Sequence, residues 1–245
     1  SLPHLTTLVI LGSRDSSSFS SFASLAHASN LQVLTLNSSD FNNDCFQYLD
    51  NMVHLRKLDL SHTKIVGDSR LFKTLMQNLF QLEELNLSGC DIGNKGAIAG
   101  ALYSTHSRLR VLNLINCDLV DDDLNGIGAL NNTLEDLYLS HNLDLTNESS
   151  EHCKDLAKLK CLFLCYCSGI NDLSPLKYCS NLEKLAVSDN DELLDDSFKV
   201  FSEEPNSFPN LRVLDLSDCR QLPEKAFEHL SKNNHLVYQL KELTI

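Results

Sequence analysis

Residues 109–117 read LRVLNLINC, and close variants of this stretch recur along the chain. Leucines stand at positions 1, 4 and 6 of the stretch, counted from Leu109, and Cys117 stands at position 9. Side chains that alternate in this way predict a short strand with one buried face. A single strand of this kind cannot bury its apolar face alone, so the pattern determines a fold only where it repeats.

The pattern Leu-x-x-Leu-x-Leu, with Ile or Val also found at the last position, occurs ten times. The gaps between successive starts are 23 to 29 residues, which is too regular for chance. Units of this length stack side by side, so their strands form a parallel sheet on the concave side of a curved solenoid. The units begin at Leu5, Leu31, Leu55, Leu82, Leu109, Leu134, Leu159, Leu182, Leu211 and Leu240.

Position 9 of the units is occupied by small residues that can hydrogen-bond to backbone where the chain leaves the strand. These residues are Ser13, Ser39, Thr63, Cys90, Cys117, Asn142, Cys167, Asn190 and Cys219. The repeat together with this column resembles the leucine-rich-repeat superfamily. Cysteine at position 9 resembles its cysteine-containing intracellular type, and the longer units resemble its ribonuclease-inhibitor type. The resemblance implies an α/β leucine-rich-repeat solenoid, with a parallel concave sheet of about ten strands and helices and turns on the convex side.

Between the strands, the sequence predicts helices at 69–80 and 222–230 and a single helical turn within 171–182. The second helix is expected to bury Phe227 and Leu230. Residues 1–245 are expected to form one domain. The last unit stops at Ile245, partway through its repeat, and neither end has the cysteine-rich caps of secreted family members. We therefore expect either a part of a longer protein or degenerate caps.

Asp and Glu outnumber Lys and Arg by 33 to 20, which gives a formal net charge of −13. This balance argues against a nucleic-acid partner, because such proteins present a basic surface to phosphates. No apolar run is long enough to cross a bilayer. The nine cysteines are odd in number and scattered, which favours free thiols in the cytoplasm or nucleus over a disulfide framework.

The repeat fixes the direction of each side chain in residues 159–169, LKCLFLCYCSG. Cys161, Phe163 and Cys165 are expected to face outward on the concave side, with Tyr166 at the strand edge. Cys161 and Cys165 would stand about 13 Å apart, too far for one tetrahedral ion, so no metal or cofactor is expected. Cys165 would lie beside His141 of the preceding unit, and a Cys–His couple lowers the pKa of a thiol. An open sheet provides no pocket or third orienting group, so catalysis by Cys165 is the weaker hypothesis.

The outward positions of the middle units are apolar or aromatic, whereas most other outward positions are polar. Tyr138 and Phe163 are expected to share a column on adjacent strands, and Asp189, Asp215 and Asp218 form an acidic rim that favours basic residues on a partner. The predicted partner-binding residues are Val111, Ile115, Tyr138, His141, Cys161, Phe163, Cys165, Tyr166, Asp189, Asp215 and Asp218.

The sequence thus predicts a monomeric, non-catalytic module that recognises a protein on its concave face, without a nucleic-acid or membrane partner. The family resemblance implies a role as substrate receptor, adaptor, sensor or effector. The alternative is an extracellular ligand-binding ectodomain, which paired cysteines and occupied glycosylation sites would support. An enzyme that uses Cys165 as its nucleophile is the third hypothesis.

Overall fold

A computed structural model describes residues 4–12, 22–66, 78–93, 108–204, 206–220, 222 and 224–245. Ten three-residue strands form one parallel sheet, in which each strand pairs with the next along the chain. Each strand begins two residues after the first leucine of its unit, which confirms the predicted repeat. The strands are β1 Thr7–Val9, β2 Val33–Thr35, β3 Lys57–Asp59, β4 Glu84–Asn86, β5 Val111–Asn113, β6 Asp136–Tyr138, β7 Cys161–Phe163, β8 Lys184–Ala186, β9 Val213–Asp215 and β10 Glu242–Thr244.

The sheet register places the same position of every unit in one column. Leu112 pairs with Leu137, and Leu137 with Leu162, so the leucines at position 4 form a continuous inner row. These three side chains and the flanking leucines at positions 1 and 6 are buried in one core. Burial of apolar side chains between successive units is what holds the solenoid together, because each unit contacts mainly its neighbours.

The opposite side of the solenoid carries short helices. The α-helices of the described residues are α1 Asn147–Cys153, α2 Lys199–Glu203, α3 Glu224–Lys232 and α4 Asn234–Gln239. The 3₁₀ helices span Phe22–His27, Asn43–Tyr48, Asp121–Leu124, Ile127–Leu130, Ser174–Tyr178 and Asp195–Phe198. The single turn predicted within 171–182 is therefore confirmed, whereas the helix predicted at 69–80 lies mostly outside the described residues.

Helix α3 confirms the predicted helix near 222–230 but corrects its buried face. Ala226 and Leu230 are buried, whereas Phe227 is 38% exposed. Residues four apart share a helix face, and the residue after Ala226 lies about 100° further round the helix. The prediction that Phe227 is buried was wrong for this reason.

The buried polar column at position 9 holds the turn that follows each strand. Asn142 Oδ1 accepts hydrogen bonds from the backbone N–H of Cys117 at 2.9 Å and of Leu119 at 3.1 Å. Asn142 Nδ2 donates to the carbonyl oxygens of Leu114 at 2.9 Å and Leu139 at 2.6 Å. One buried amide thus satisfies four backbone groups that would otherwise be buried without partners. The predicted role of this column is confirmed.

Cysteine at position 9 also hydrogen-bonds to backbone, but it satisfies fewer groups than Asn142 does. Cys117 Sγ donates to the carbonyl oxygen of Leu87 at 3.1 Å. Burial raises the pKa of the Cys117 thiol to about 12, so the thiol stays neutral and keeps its hydrogen for this bond. All nine cysteines of the chain are free thiols.

Position 8 has a left-handed backbone conformation from the second unit to the ninth. The residues with this conformation in the column are Ser38, His62, Gly89, Asn116, His141, Tyr166, Asp189 and Asp218. Glycine, Asn, Asp and His tolerate a positive φ better than bulkier residues do. Tyr166, at φ 57°, is the bulkiest side chain in this column. This turn projects the side chains of position 8 from the carboxyl ends of the strands.

Candidate functional site

Position 5 of the concave sheet surface is Asp or Asn in four strands and aromatic in two, and the other four strands carry Val9, Thr35, Ala186 and Thr244. In β3, β4, β5 and β9 this position is Asp or Asn, and its Oδ1 accepts a hydrogen bond from the backbone N–H two residues later. The four bonds join Asp59 to Ser61 at 2.9 Å, Asn86 to Ser88 at 3.0 Å, Asn113 to Ile115 at 3.1 Å and Asp215 to Ser217 at 3.0 Å. Asp215, a predicted partner-binding residue, therefore already serves the end of its own strand, and it also accepts from Ser217 Oγ at 2.7 Å.

In β6 and β7 position 5 is aromatic instead. Tyr138 and Phe163 are register partners, as predicted, and their rings stack with centroids 4.8 Å apart and an interplanar angle of 23°. Both side chains are half-buried. Lys184 Nζ from β8 lies 4.9 Å from the centre of the Phe163 ring. Tyr138, Phe163 and Lys184 therefore form one continuous row across three strands, which we call the aromatic row.

The residues around the aromatic row are only partly exposed. Val111 and Ile115 on one side and Cys161 on the other are half-buried, as predicted for outward positions. Burial, with a contribution from the hydrogen bond to Asp136, raises the pKa of the Cys161 thiol to about 12. The Cys161 thiol is therefore uncharged near pH 7 and contributes a weakly polar patch to the concave face.

Three serines at position 7, which the alternation pattern directs to the concave surface, are buried instead. Ser61 is 2% exposed, Ser140 is 5% exposed and Ser188 is 8% exposed. Asn37 Nδ2 donates to Ser61 Oγ at 2.6 Å, so the neighbouring unit covers this hydroxyl. Side chains this short are covered by the neighbouring unit in the same column, so the alternation pattern alone does not predict their exposure.

Cys165 and His141 do not form the couple considered from the sequence. The His141 ring packs against the Tyr166 ring, with centroids 5.1 Å apart. Cys165 is linked to the preceding unit through its backbone, where its N–H donates to Ser140 Oγ at 3.0 Å and its carbonyl oxygen accepts from His141 N–H at 2.8 Å. Within the described part of the chain, no hydrogen bond joins Cys165 Sγ to His141.

A cleft of about 280 Å³ lies at the carboxyl ends of β7 to β9. It combines apolar and aromatic side chains with carboxylates and is lined by Leu143, Tyr166, Ser168, Asp189, Asp191, Asp218 and Arg220. We call it the rim cleft. Sequence reasoning found Tyr166, Asp189 and Asp218 but missed Leu143 and Asp191, because these two follow the strands in turns where the strand pattern assigns no direction.

A shallower depression of about 370 Å³ covers the concave face from β2 to β6 and reaches Tyr138. Lys57 and Glu84 form an ion pair of 2.6 Å within it. The depression therefore joins the aromatic row to a polar area of the sheet where the charges are already paired.

Acidic residues at the amino ends of the strands are also paired with cations. Position 2 carries alternating charges, and Arg56 lies 3.0 Å from Glu83. Arg110 at 2.9 Å and Lys160 at 2.8 Å both contact Glu135. The hydrogen bonds from Arg110 and Lys160 lower the pKa of Glu135 to about 2. Glu83 and Glu135 at this end are thus paired with cations of neighbouring units.

Neither a metal centre nor a membrane span is found in the described residues. No group of three or more His, Cys, Asp or Glu side chains in these ranges could hold a metal ion. No helix among them is long and apolar enough to cross a membrane.

Comparison with known proteins agrees with the repeat and the sheet. A family model described as Leucine Rich repeat matches residues 51–69 and 80–99, which include β3 and β4. The chain has a leucine-rich-repeat fold. No curated protein matches this leucine-rich-repeat chain by sequence.

Solved structures of similar fold include internalin C2 from Listeria monocytogenes, with a TM-score of 0.61 and 25% identity over 90% of this chain and 83% of that one. A chain of the Rad7 and Elc1 complex from yeast gives a TM-score of 0.55 and 18% identity, over 91% of this chain and 66% of that one. At this level of identity, the second similarity concerns the fold alone.

Proposed function

We propose that this leucine-rich-repeat protein is a non-catalytic recognition module that binds another protein on its concave face. The observation that carries the proposal is the stacked pair of Tyr138 and Phe163 in the middle of the sheet. Aromatic side chains that keep part of their surface in water, within a polar surround, are typical of the centre of a protein interface.

Tyr138 and Phe163 do not make the hydrogen bond that Asp and Asn make at position 5 of the polar strands. At the same position, Asp59 and its equivalents fix the backbone at the strand end, and an aromatic ring cannot accept that bond. In the unit of Phe163, Ser140 of the neighbouring unit accepts from Cys165 N–H instead. The solenoid accommodates the Phe163 ring by transferring this task to Ser140, which favours a role for the aromatic pair outside the fold.

The shape and chemistry of the face also favour binding over catalysis. An open sheet of ten strands presents a broad surface, and the thiol and imidazole closest to it are not coupled. The fold is compatible with protein assembly, since a chain of similar fold belongs to the Rad7 and Elc1 complex. The proposed contact surface comprises the residues predicted from the sequence together with Lys184, Leu143 and Asp191. The proposed setting is inside the cell, as a monomeric adaptor or substrate receptor.

The test is affinity capture from an extract of the cells that express the protein, with bound proteins quantified by mass spectrometry. The variant Tyr138→Ser with Phe163→Ser is compared with wild type. The matched control is Tyr178→Ser with Tyr238→Ser, since both of these tyrosines are exposed and lie outside the strands. We expect at least one protein that wild type and control retain and the concave variant loses by about tenfold or more.

Circular dichroism and thermal unfolding establish that both variants keep the fold. Retention of the same proteins in the same amounts by all three chains would contradict the proposal, because recognition would then lie away from the aromatic row.

A further inference from the structure

The rim cleft brings together side chains of four consecutive units, and position 8 of the last three contributes to its lining. Tyr166, Asp189 and Asp218 occupy position 8 of these three units, and each has the left-handed turn that projects the side chain outward. Backbone hydrogen bonds hold the turns side by side, since Tyr166 N–H donates to the Ser188 carbonyl at 2.9 Å and Asp189 N–H to the Ser217 carbonyl at 3.0 Å. The three side chains therefore stand in a row on adjacent strands about 4.8 Å apart.

The charge of this row is not balanced within the part of the chain that the structure describes. Glu83 and Glu135 at the other end of the strands contact Arg or Lys of a neighbouring unit. No ion pair of Asp189 or Asp218 is found among the described residues. The lining of the cleft contains three aspartates and one basic residue, Arg220. A partner that carries positive charge at this place would complement the surface.

The apolar side chains of the cleft favour a guanidinium group over an ammonium group on the partner. Tyr166 is 47% exposed and Leu143 is 55% exposed, so the carboxylates border an aromatic ring and an aliphatic side chain. A guanidinium group can stack on an aromatic face while its N–H groups point in its plane toward carboxylates. An ammonium group satisfies the charge but cannot stack in this way. A cation–π contact without stacking occurs nearby within the protein, where the Lys184 ammonium group lies over the Phe163 ring.

The distance between the cleft and the aromatic row sets the spacing on the partner. Tyr166 follows Phe163 by three residues, so the two sites are about 10 Å apart along the strand direction. In an extended segment, this separation corresponds to two to four residues.

We propose that the concave face binds a segment of a partner protein in which an arginine lies two to four residues from a bulky apolar residue. The apolar residue packs on Tyr138 and Phe163, and the arginine occupies the rim cleft between Tyr166, Asp189 and Asp218. This inference rests on the proposed function and names the chemistry of its partner.

The first step of the test is selection of a random twelve-residue peptide display library against the full chain. We expect enrichment of sequences with an arginine two to four positions from an aromatic or branched aliphatic residue. The most enriched peptide, labelled with a fluorophore, then serves as the probe in fluorescence polarisation.

The second step compares variants with that probe. Asp189→Asn with Asp218→Asn should weaken binding about fivefold to tenfold, and Arg→Gln in the peptide should do the same. The matched control is Asp144→Asn with Asp155→Asn, which removes two exposed aspartates outside the cleft and should leave the affinity unchanged. Binding of wild type should weaken as salt rises, and binding of the cleft variant should respond less.

The outcomes separate this inference from the function on which it rests. Peptides that require Tyr138 and Phe163 but lack arginine, or bind the cleft variant as tightly as wild type, would overturn the inference and leave the function intact. Peptides that bind equally well without the aromatic pair would contradict the proposed function itself. Failure to enrich any peptide would also overturn the inference, because it commits to a linear segment.

Discussion

Strands β3 to β5 and strands β6 and β7 share one sheet and one register but differ at position 5. The first group uses Asp59, Asn86 and Asn113 to hold the backbone at the strand end. The second group carries Tyr138 and Phe163, which stack on each other at the concave surface. The comparison teaches that the same outward position can either hold the turn of its own strand or leave a partly exposed aromatic ring on the concave surface.

The two ends of the strands show the same division for charged residues. At the amino ends, Arg110, Glu135 and Lys160 form a line of ion pairs between units. At the carboxyl ends, Asp189 and Asp218 line the rim cleft beside Tyr166. Charges at one end therefore contribute to the stacking of units, and we propose that those at the other end contribute to the choice of partner.

The largest effect on stability is expected at position 9, which is buried beneath both groups of strands. Asn142→Ala removes the partner of four buried backbone groups, so the free energy of unfolding should fall by about 3 kcal/mol or more. Chemical denaturation followed by circular dichroism measures this loss, and hydrogen exchange should locate it in the fifth and sixth units. Asn132→Ala, at an exposed turn position, is the control and should change little. A loss below about 1 kcal/mol would mean that the column does not hold the turns.

A smaller effect is expected at position 5 of the polar strands. Asp59→Ala leaves the N–H of the buried Ser61 without its partner and should cost about 1 to 2 kcal/mol. Asp59→Asn should restore most of the stability, because Asn86 and Asn113 make the same bond at this position. Thermal and chemical unfolding of both variants provide the measurement. If Asp59→Ala were as stable as wild type, position 5 of the polar strands would not hold the strand end, and the contrast between the two groups of strands would be wrong.

The smallest effect is expected at the ion-paired end of the strands and depends on pH. The pKa of Glu135 is lowered from 4.5 to about 2, so its stabilising contribution is complete above pH 4.5 and is lost as the pH falls toward 2. Glu135→Gln should therefore lower the free energy of unfolding by about 0.5 to 1 kcal/mol at pH 7, since the ion pairs are partly exposed to solvent.

The same variant should lose less stability than wild type between pH 4.5 and 2, as measured by denaturation at each pH. Glu228→Gln on the exposed side of α3 is the control and should follow the wild-type curve. Parallel pH curves for wild type and Glu135→Gln would show that the line of charges does not stabilise the solenoid.

Much of the concave surface could be predicted because the repeat fixes a period and a direction. The pairing of Tyr138 with Phe163 follows from the distance of each residue from the first leucine of its unit. The pattern could not predict that the His141 ring turns to Tyr166 rather than to Cys165, because the left-handed turn at position 8 redirects that side chain. It also missed the burial of Ser61, which depends on a side chain of the neighbouring unit.

The sequence by itself determined the ten strands, their parallel order and the inward direction of the leucines, because one strand can bury its apolar face only against the next. Only the tertiary structure decided which outward side chains are engaged by the fold and which remain available. That distinction depends on contacts between units, such as those of Asn37, Glu135 and Ser140, and such contacts join residues about 25 positions apart in directions that the pattern of one unit does not encode.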